Sequence, residues 1–103
     1  DEAVLDGVVQ RILAAARPSR VILFGSHARG DAVSGSDLDL MIIQPEVANR
    51  GEDMVRLRLA VGDVGTDVDV LVYSEAEVEA RRDWCTSPVY WALREGKVLY
   101  AAQ

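Results

Sequence analysis

The sequence predicts an α+β (mixed α/β) layer structure, a mixed sheet of three or four strands flanked by helices. Three observations carry that expectation. Apolar runs bounded by turn residues recur at 20–24, 38–44 and 67–73, as buried strands do. Apolar residues at helical spacing occupy stretches between and around them. Capping signals then mark where helices begin and end in the second half of the chain. The predicted order is helix, strand, strand, helix, strand, helix, helix, strand, which suits helices layered on a sheet.

Each element has its own warrant. Val4, Leu5, Val8, Val9, Ile12, Leu13 and Ala16 recur at helical spacing, so residues 2 to 16 form an amphipathic helix, ended by Pro18. Arg20 to Phe24 reads as a buried strand. Gly25-Ser26 breaks it and opens a short helical turn over Ala28-Arg29, stopped by Gly30. Asp31 to Ser36 is a polar loop rich in turn formers, and Leu38 to Gln44 is the second strand, closed by Pro45. Residues 50 to 61 carry a rougher helical pattern that ends near Gly62. Asp67 to Tyr73 is the third strand, and Ser74-Glu75-Ala76-Glu77 is a capping box that starts a helix. Pro88 separates that helix from a last one, Val89 to Glu95, with Gly96 as its stop and Val98-Leu99-Tyr100 as a closing strand. The helices are expected mainly on one side of the sheet.

Composition narrows the function classes. At 103 residues, half of them apolar, the chain is expected to form one domain over 1–103 with a real core. No apolar stretch approaches a membrane span, and the acidic first residues are not signal-like. The single cysteine, Cys85, excludes an internal disulfide and fits a reducing cytoplasm. A net charge of −6 with dispersed arginines repels long nucleic acids. One nucleotide neutralised by metal stays compatible, and so does a homo-oligomer.

The chemistry concentrates in Gly25 to Leu40. Asp37 and Asp39, two apart on a strand, point to the same face about 7 Å apart along the chain. Their face continues as Met41 and Ile43, which belong in a core, so the carboxylates sit where the strand emerges into solvent. Two neighbouring anions repel, and a cation between them relieves the repulsion. Carboxylate oxygens suit magnesium, which shares its remaining positions with phosphate oxygens. Two such ions can clamp an attacking and a leaving oxygen at phosphorus. Asp67 and Asp69 repeat the pattern at the start of the third strand, and Asp69 is favoured over Asp67 as a third acid or base. At Gly25-Ser26 a glycine lets backbone approach a phosphate, and the amides that follow point outward at a helix start. Arg29, one helical turn on, can reach phosphate or pair with a nearby acid.

These residues resemble the minimal nucleotidyltransferase family of the DNA polymerase β superfamily. The family signature is Gly-Ser, ten residues, then Asp-x-Asp; Gly25-Ser26 and Asp37-Leu38-Asp39 match it with residues 27 to 36 between them. Ala28-Arg29-Gly30, Ser36 and the closing Arg94 to Tyr100 also look like this family. The resemblance implies a small nucleotidyltransferase palm that moves a nucleotide from a triphosphate, usually ATP, to a hydroxyl, with two Mg2+ ions. It implies Asp37, Asp39 and Asp69 as catalytic metal ligands, and Gly25, Ser26, Arg29 and Ser36 as nucleotide or phosphate contacts. Stand-alone members are commonly paired with a HEPN-domain RNase toxin, and the nucleotidyltransferase, as antitoxin, can add AMP to a tyrosine of it. Two other readings stand beside this one: transfer to a small molecule such as an aminoglycoside, and neutralisation of a partner by binding alone.

Other residues read more plainly. His27 is expected to face solvent beside the site, and Cys85 to be a packing residue. Trp84, Tyr90 and Trp91 are expected in the core.

Overall fold

The computed structural model describes residues 2–103. The elements run α1 (Glu2–Ala15), β1 (Arg20–Phe24), α2 (Ser26–Arg29), β2 (Leu38–Gln44), α3 (Arg50–Val61), β3 (Val68–Ser74), α4 (Glu75–Arg81), α5 (Pro88–Glu95) and β4 (Lys97–Ala101). The elements expected from the sequence are all present in the expected order, with ends moved by a residue or two.

The strands form one mixed sheet in the order β3-β2-β1-β4. β1 lies antiparallel to both β2 and β4, whereas β2 and β3 are parallel. Parallel neighbours need a long crossover, and α3 supplies it. Its start is capped by Asn49, whose side-chain oxygen accepts from Glu52 N at 3.0 Å. Its end is tied to α1, where Arg11 Nη1 donates to the Val61 carbonyl at 2.9 Å. The capping box at α4 is complete: Glu77 N donates to Ser74 Oγ at 3.1 Å, and Ser74 N donates to Glu77 Oε1 at 2.9 Å.

Helices cover both faces of the sheet, where the expectation was cover mainly on one side. On one face Leu38, Leu40 and Ile42 of β2 and Val68, Val70 and Val72 of β3 pack with Val8 and Ile12 of α1 and Leu57 and Val61 of α3. On the other, Ile22, Met41 and Ile43 pack with Val78 of α4 and Val89 and Ala92 of α5. Alternation explains the division, since β2 is apolar at consecutive positions and must therefore be buried twice. The second cover leaves a faint signal in the sequence because α4 and α5 are short and together bury only three residues in it.

Two local expectations also change. Trp84 and Trp91 are 56% and 46% exposed rather than in the core. Trp91 lies beyond the buried face of α5, donating its indole N–H to the Cys85 carbonyl at 2.9 Å and meeting Tyr90 edge-on. Cys85 itself is exposed and not a packing residue. Residues 82–86, between two short helices, are all exposed.

Candidate active site

Strand direction gathers the site. The end of β1 lies beside the beginnings of β2 and β3, because β1 runs against both. Phe24, the last residue of β1, is paired with Asp39, and Asp39 is paired with Asp69 on its other side. Gly25 and Ser26 follow Phe24 directly. Turn, carboxylate pair and third carboxylate thus lie in a row across the sheet at one end of it.

Gly25 holds φ +74° and ψ −155°, a region essentially restricted to glycine. A Cβ there would also collide with Asp39 Oδ2, so the turn passes directly over that carboxylate. Gly25 O accepts from the Ala28 and Arg29 amides, at 3.1 and 3.0 Å, which closes the turn of α2. A helix that begins at Ser26 leaves the Ser26 and His27 amides with no intrahelical acceptor, directed out of its first turn.

Asp37 is exposed, one residue before β2, and shares its face with half-buried Asp39. Asp69 is exposed and stands directly across from Asp39. Burial pushes the Asp39 carboxyl above its ordinary value, and the charges of Asp69 and Asp37 push it further. A hydrogen bond between the Asp39 and Asp69 carboxyls works in the same direction, and His27 acts against it. Asp67, the competing third acid, precedes β3 and gives its backbone carbonyl to Leu38 N at 2.9 Å. The acid that presses on Asp39 is Asp69.

Among the described residues no three acidic, histidine or cysteine side chains are gathered closely enough to enclose a metal ion as they stand. What is gathered is the Asp39–Asp69 pair with Asp37 near it. Such a donor set fits a hard, oxygen-preferring cation, because a divalent ion would neutralise the neighbouring carboxylate charges that add to burial in raising the Asp39 carboxyl.

The remaining predicted contacts are placed less centrally. Arg29 Nε pairs with Asp31 at 3.2 Å on the surface. Ser36 is occupied within its own loop, its hydroxyl accepting from Val33 N at 3.0 Å. Its carbonyl is held from two sides: His27 Nε2 and Thr66 Oγ1 both donate to it, each at 3.0 Å. A carbonyl can only accept, so the His27 proton resides on Nε2. His27 is therefore half-buried and engaged, not simply solvent-facing. The pair clamps the loop that delivers Asp37. Thr66 carried no signal in the sequence, since it is 30 positions from its partner.

A short mixed sheet with this turn and these carboxylates at one end is a frame for moving phosphoryl groups. Residues 4–64 match the nucleotidyltransferase domain family, and the chain belongs to that family and is a nucleotidyltransferase. A candidate protein adenylyltransferase of Methanocaldococcus jannaschii is 34% identical over 85 residues, covering 82% of this chain and 80% of that protein. A candidate nucleotidyltransferase of Sulfolobus solfataricus shares the fold, with a TM-score of 0.66 at 19% identity over 96% of this chain and 78% of that one. A toxin–antitoxin structure with AMP-PNP matches with a TM-score of 0.66 at 20% identity, covering 96% of this chain and 74% of that one. The MntA–HpeT toxin–antitoxin structure gives 0.67 at 18% identity over the same shares. The resemblance noted in the sequence is thus borne out at the level of the family. Among the described residues no helix is long and apolar enough to cross a membrane.

Proposed function

We propose that this chain transfers AMP from ATP to a hydroxyl, a tyrosine, of a HEPN RNase toxin and thereby acts as its antitoxin. The observation that carries the chemistry is the Asp39–Asp69 pair beside the Gly25 turn. Support for a protein acceptor comes from the Methanocaldococcus relative, and support for a toxin partner from the toxin–antitoxin structures with the same fold.

In this reading Gly25 and Ser26 hold the triphosphate through backbone amides and the serine hydroxyl. Asp37, Asp39 and Asp69 would hold Mg2+, which when bound neutralises the phosphate oxygens and the charge developing on the leaving group. Arg29 turns from Asp31 toward phosphate, and Ser36 fixes the loop between the two halves of the site. The acceptor oxygen attacks the α-phosphorus and forms the new P–O bond. The bond from that phosphorus to the bridging oxygen of the β-phosphate breaks, and pyrophosphate leaves with the electron pair. The acceptor proton passes to the Asp69 carboxylate and on to water. Asp39, half-buried, is held in place by the strand ladder, so the carboxylates are oriented before substrate arrives.

The test uses the chain with magnesium, ATP and the product of the neighbouring gene, and weighs that product by mass spectrometry. An added AMP mass that disappears in Asp37→Asn and Asp39→Asn supports the reading. Complex formation with no mass change, and neutralisation retained in both variants, would sink it in favour of binding alone. AMP on an aminoglycoside but not on protein would move the acceptor to a small molecule.

A further inference from the structure

Two clefts meet at Arg58 on the β3 side of the site. One, about 410 Å3, runs from Phe24 past Asp39 and Asp69 to Val55 and Arg58 of α3. The other, about 850 Å3, continues from Val55 and Arg58 past Leu59 to Thr66 and Asp67. Because β3 is the edge strand, the joined groove has open space along its outer side.

Its lining is unlike a triphosphate site. Val55 and Leu59, four apart on α3 and so on one helical face, are 61% and 76% exposed. Arg58 lies between them, and among the described residues its guanidinium has no ion-pair or hydrogen-bond partner. By contrast Arg56, on the same helix, is engaged by Asp53 at 3.0 Å.

Strand order assigns the groove a role. The phosphate turn follows β1, Asp37 immediately precedes β2, Asp39 belongs to β2, and Asp69 to β3. In-line displacement needs the attacking and leaving oxygens on opposite sides of the phosphorus. A triphosphate anchored on the β1 side therefore leaves the β3 side for the acceptor. That is where the groove opens beside Asp69.

Resting on the transfer reading above, we propose that this groove is the docking site of the acceptor segment of the partner protein. Val55 and Leu59 take apolar side chains of that segment, and Arg58 takes a carboxylate on it in a two-pronged contact. The hydroxyl is thereby delivered to Asp69. Arg58 is a specificity residue of the acceptor side and plays no part in holding ATP.

The experiment compares the full chain with Arg58→Glu, Leu59→Asp and the milder Arg58→Gln. The partner protein, taken as the product of the neighbouring gene, is titrated without ATP, and KM is then measured separately for it and for ATP. Both positions changed are surface positions, and circular dichroism checks folding; Arg58→Gln carries the test should either charged variant unfold. Expected is at least a ~10-fold weaker complex and higher KM for the partner, a loss within the range for exposed interface anchors. KM for ATP stays within ~2-fold. A rise in KM for ATP with unchanged partner binding would assign the groove to the nucleotide and overturn the proposal, as would no change in either. Wild-type protein that binds the partner through Arg58 but adds no AMP would defeat the transfer reading while leaving the docking site standing.

Discussion

Asp39 of β2 and Asp69 of β3 are partners across a parallel strand pair, so two carboxylates stand side by side on one face of the sheet. A folded chain ordinarily avoids like charges in that relation, since residues directly opposite in a sheet repel when both are anionic. Here burial of Asp39 adds to the conflict. The arrangement is a local loss of stability placed where the proposed reading puts a cation and a phosphate.

Asp39→Asn is therefore expected to raise the thermal midpoint of the metal-free protein at pH 7 by a few degrees. The folded-state pKa of Asp39 is above its unfolded value of 3.8, so the folded state loses stability as pH rises from that value through the folded one. Above both, the penalty is constant, and the asparagine removes it. Added Mg2+ should stabilise the wild type and not the variant. AMP transfer should fall by at least ~10²-fold. Melting curves in chelator and in Mg2+ at pH 5 and 7 check this; a variant that melts lower in chelator contradicts it.

Gly25→Ala should damage both stability and activity. The methyl group meets Asp39 Oδ2, and the backbone region with φ +74° is closed to alanine, a strain of about 1–3 kcal/mol. Gly30→Ala makes the useful control: φ is +81° there, but nothing lies within 4 Å of the added atom. The control should lose stability alone, while Gly25→Ala also loses transfer per folded molecule, as urea titration and steady-state rates together will show.

The His27–Ser36–Thr66 clamp predicts a positioning effect. His27→Ala removes one donor from the Ser36 carbonyl and leaves Thr66 as the other, at a stability cost of about 1 kcal/mol. Asp37 then loses a fixed position, so kcat should fall ~10-fold with little change in KM for ATP. His27→Gln, which keeps a side-chain N–H, should recover part of that rate. Equal rates in the alanine and glutamine variants would argue against the clamp.

Acid should loosen α4 first. The backbone hydrogen bond from Ser74 and the contact with Arg50 hold the Glu77 carboxyl below its ordinary value of 4.5. A lowered pKa stabilises the fold above the unfolded value, and that stability is lost as pH falls from there through the folded one. Glu77→Gln should flatten the acid side of the stability profile, and Ser74→Ala should cost about 1 kcal/mol near neutrality. Urea midpoints between pH 3 and 7 provide the measurement.

Much of the molecule was legible because its signals are local. Gly25-Ser26 and Asp37-x-Asp39 are contiguous motifs at a set spacing, and Ser74 to Glu77 is a cap written in four residues. Each strand announced itself by a pattern of residue types among neighbours in the chain. The choice between Asp67 and Asp69 stayed open because both share a face, and face alone follows from alternation. Trp84, Trp91 and Cys85 were misplaced for a related reason. Apolar character shows what a residue prefers, whereas burial depends on whether another element arrives to cover it.

By itself, then, the sequence determined the elements, their order and the Asp37–Asp39 carboxylate pair proposed as metal ligands, because secondary structure and strand alternation are read within a few residues. Only the tertiary structure decided that Asp69 stands opposite Asp39, since register follows from how β2 and β3 pair across the α3 crossover. It likewise decided that Gly25 passes over Asp39, that His27 and Thr66 hold one carbonyl, and that Arg58 lies between two clefts. Those contacts join residues between 9 and 30 positions apart, or line a groove shared by separate elements. Their partners meet only once the sheet has closed, which no pattern along the chain records.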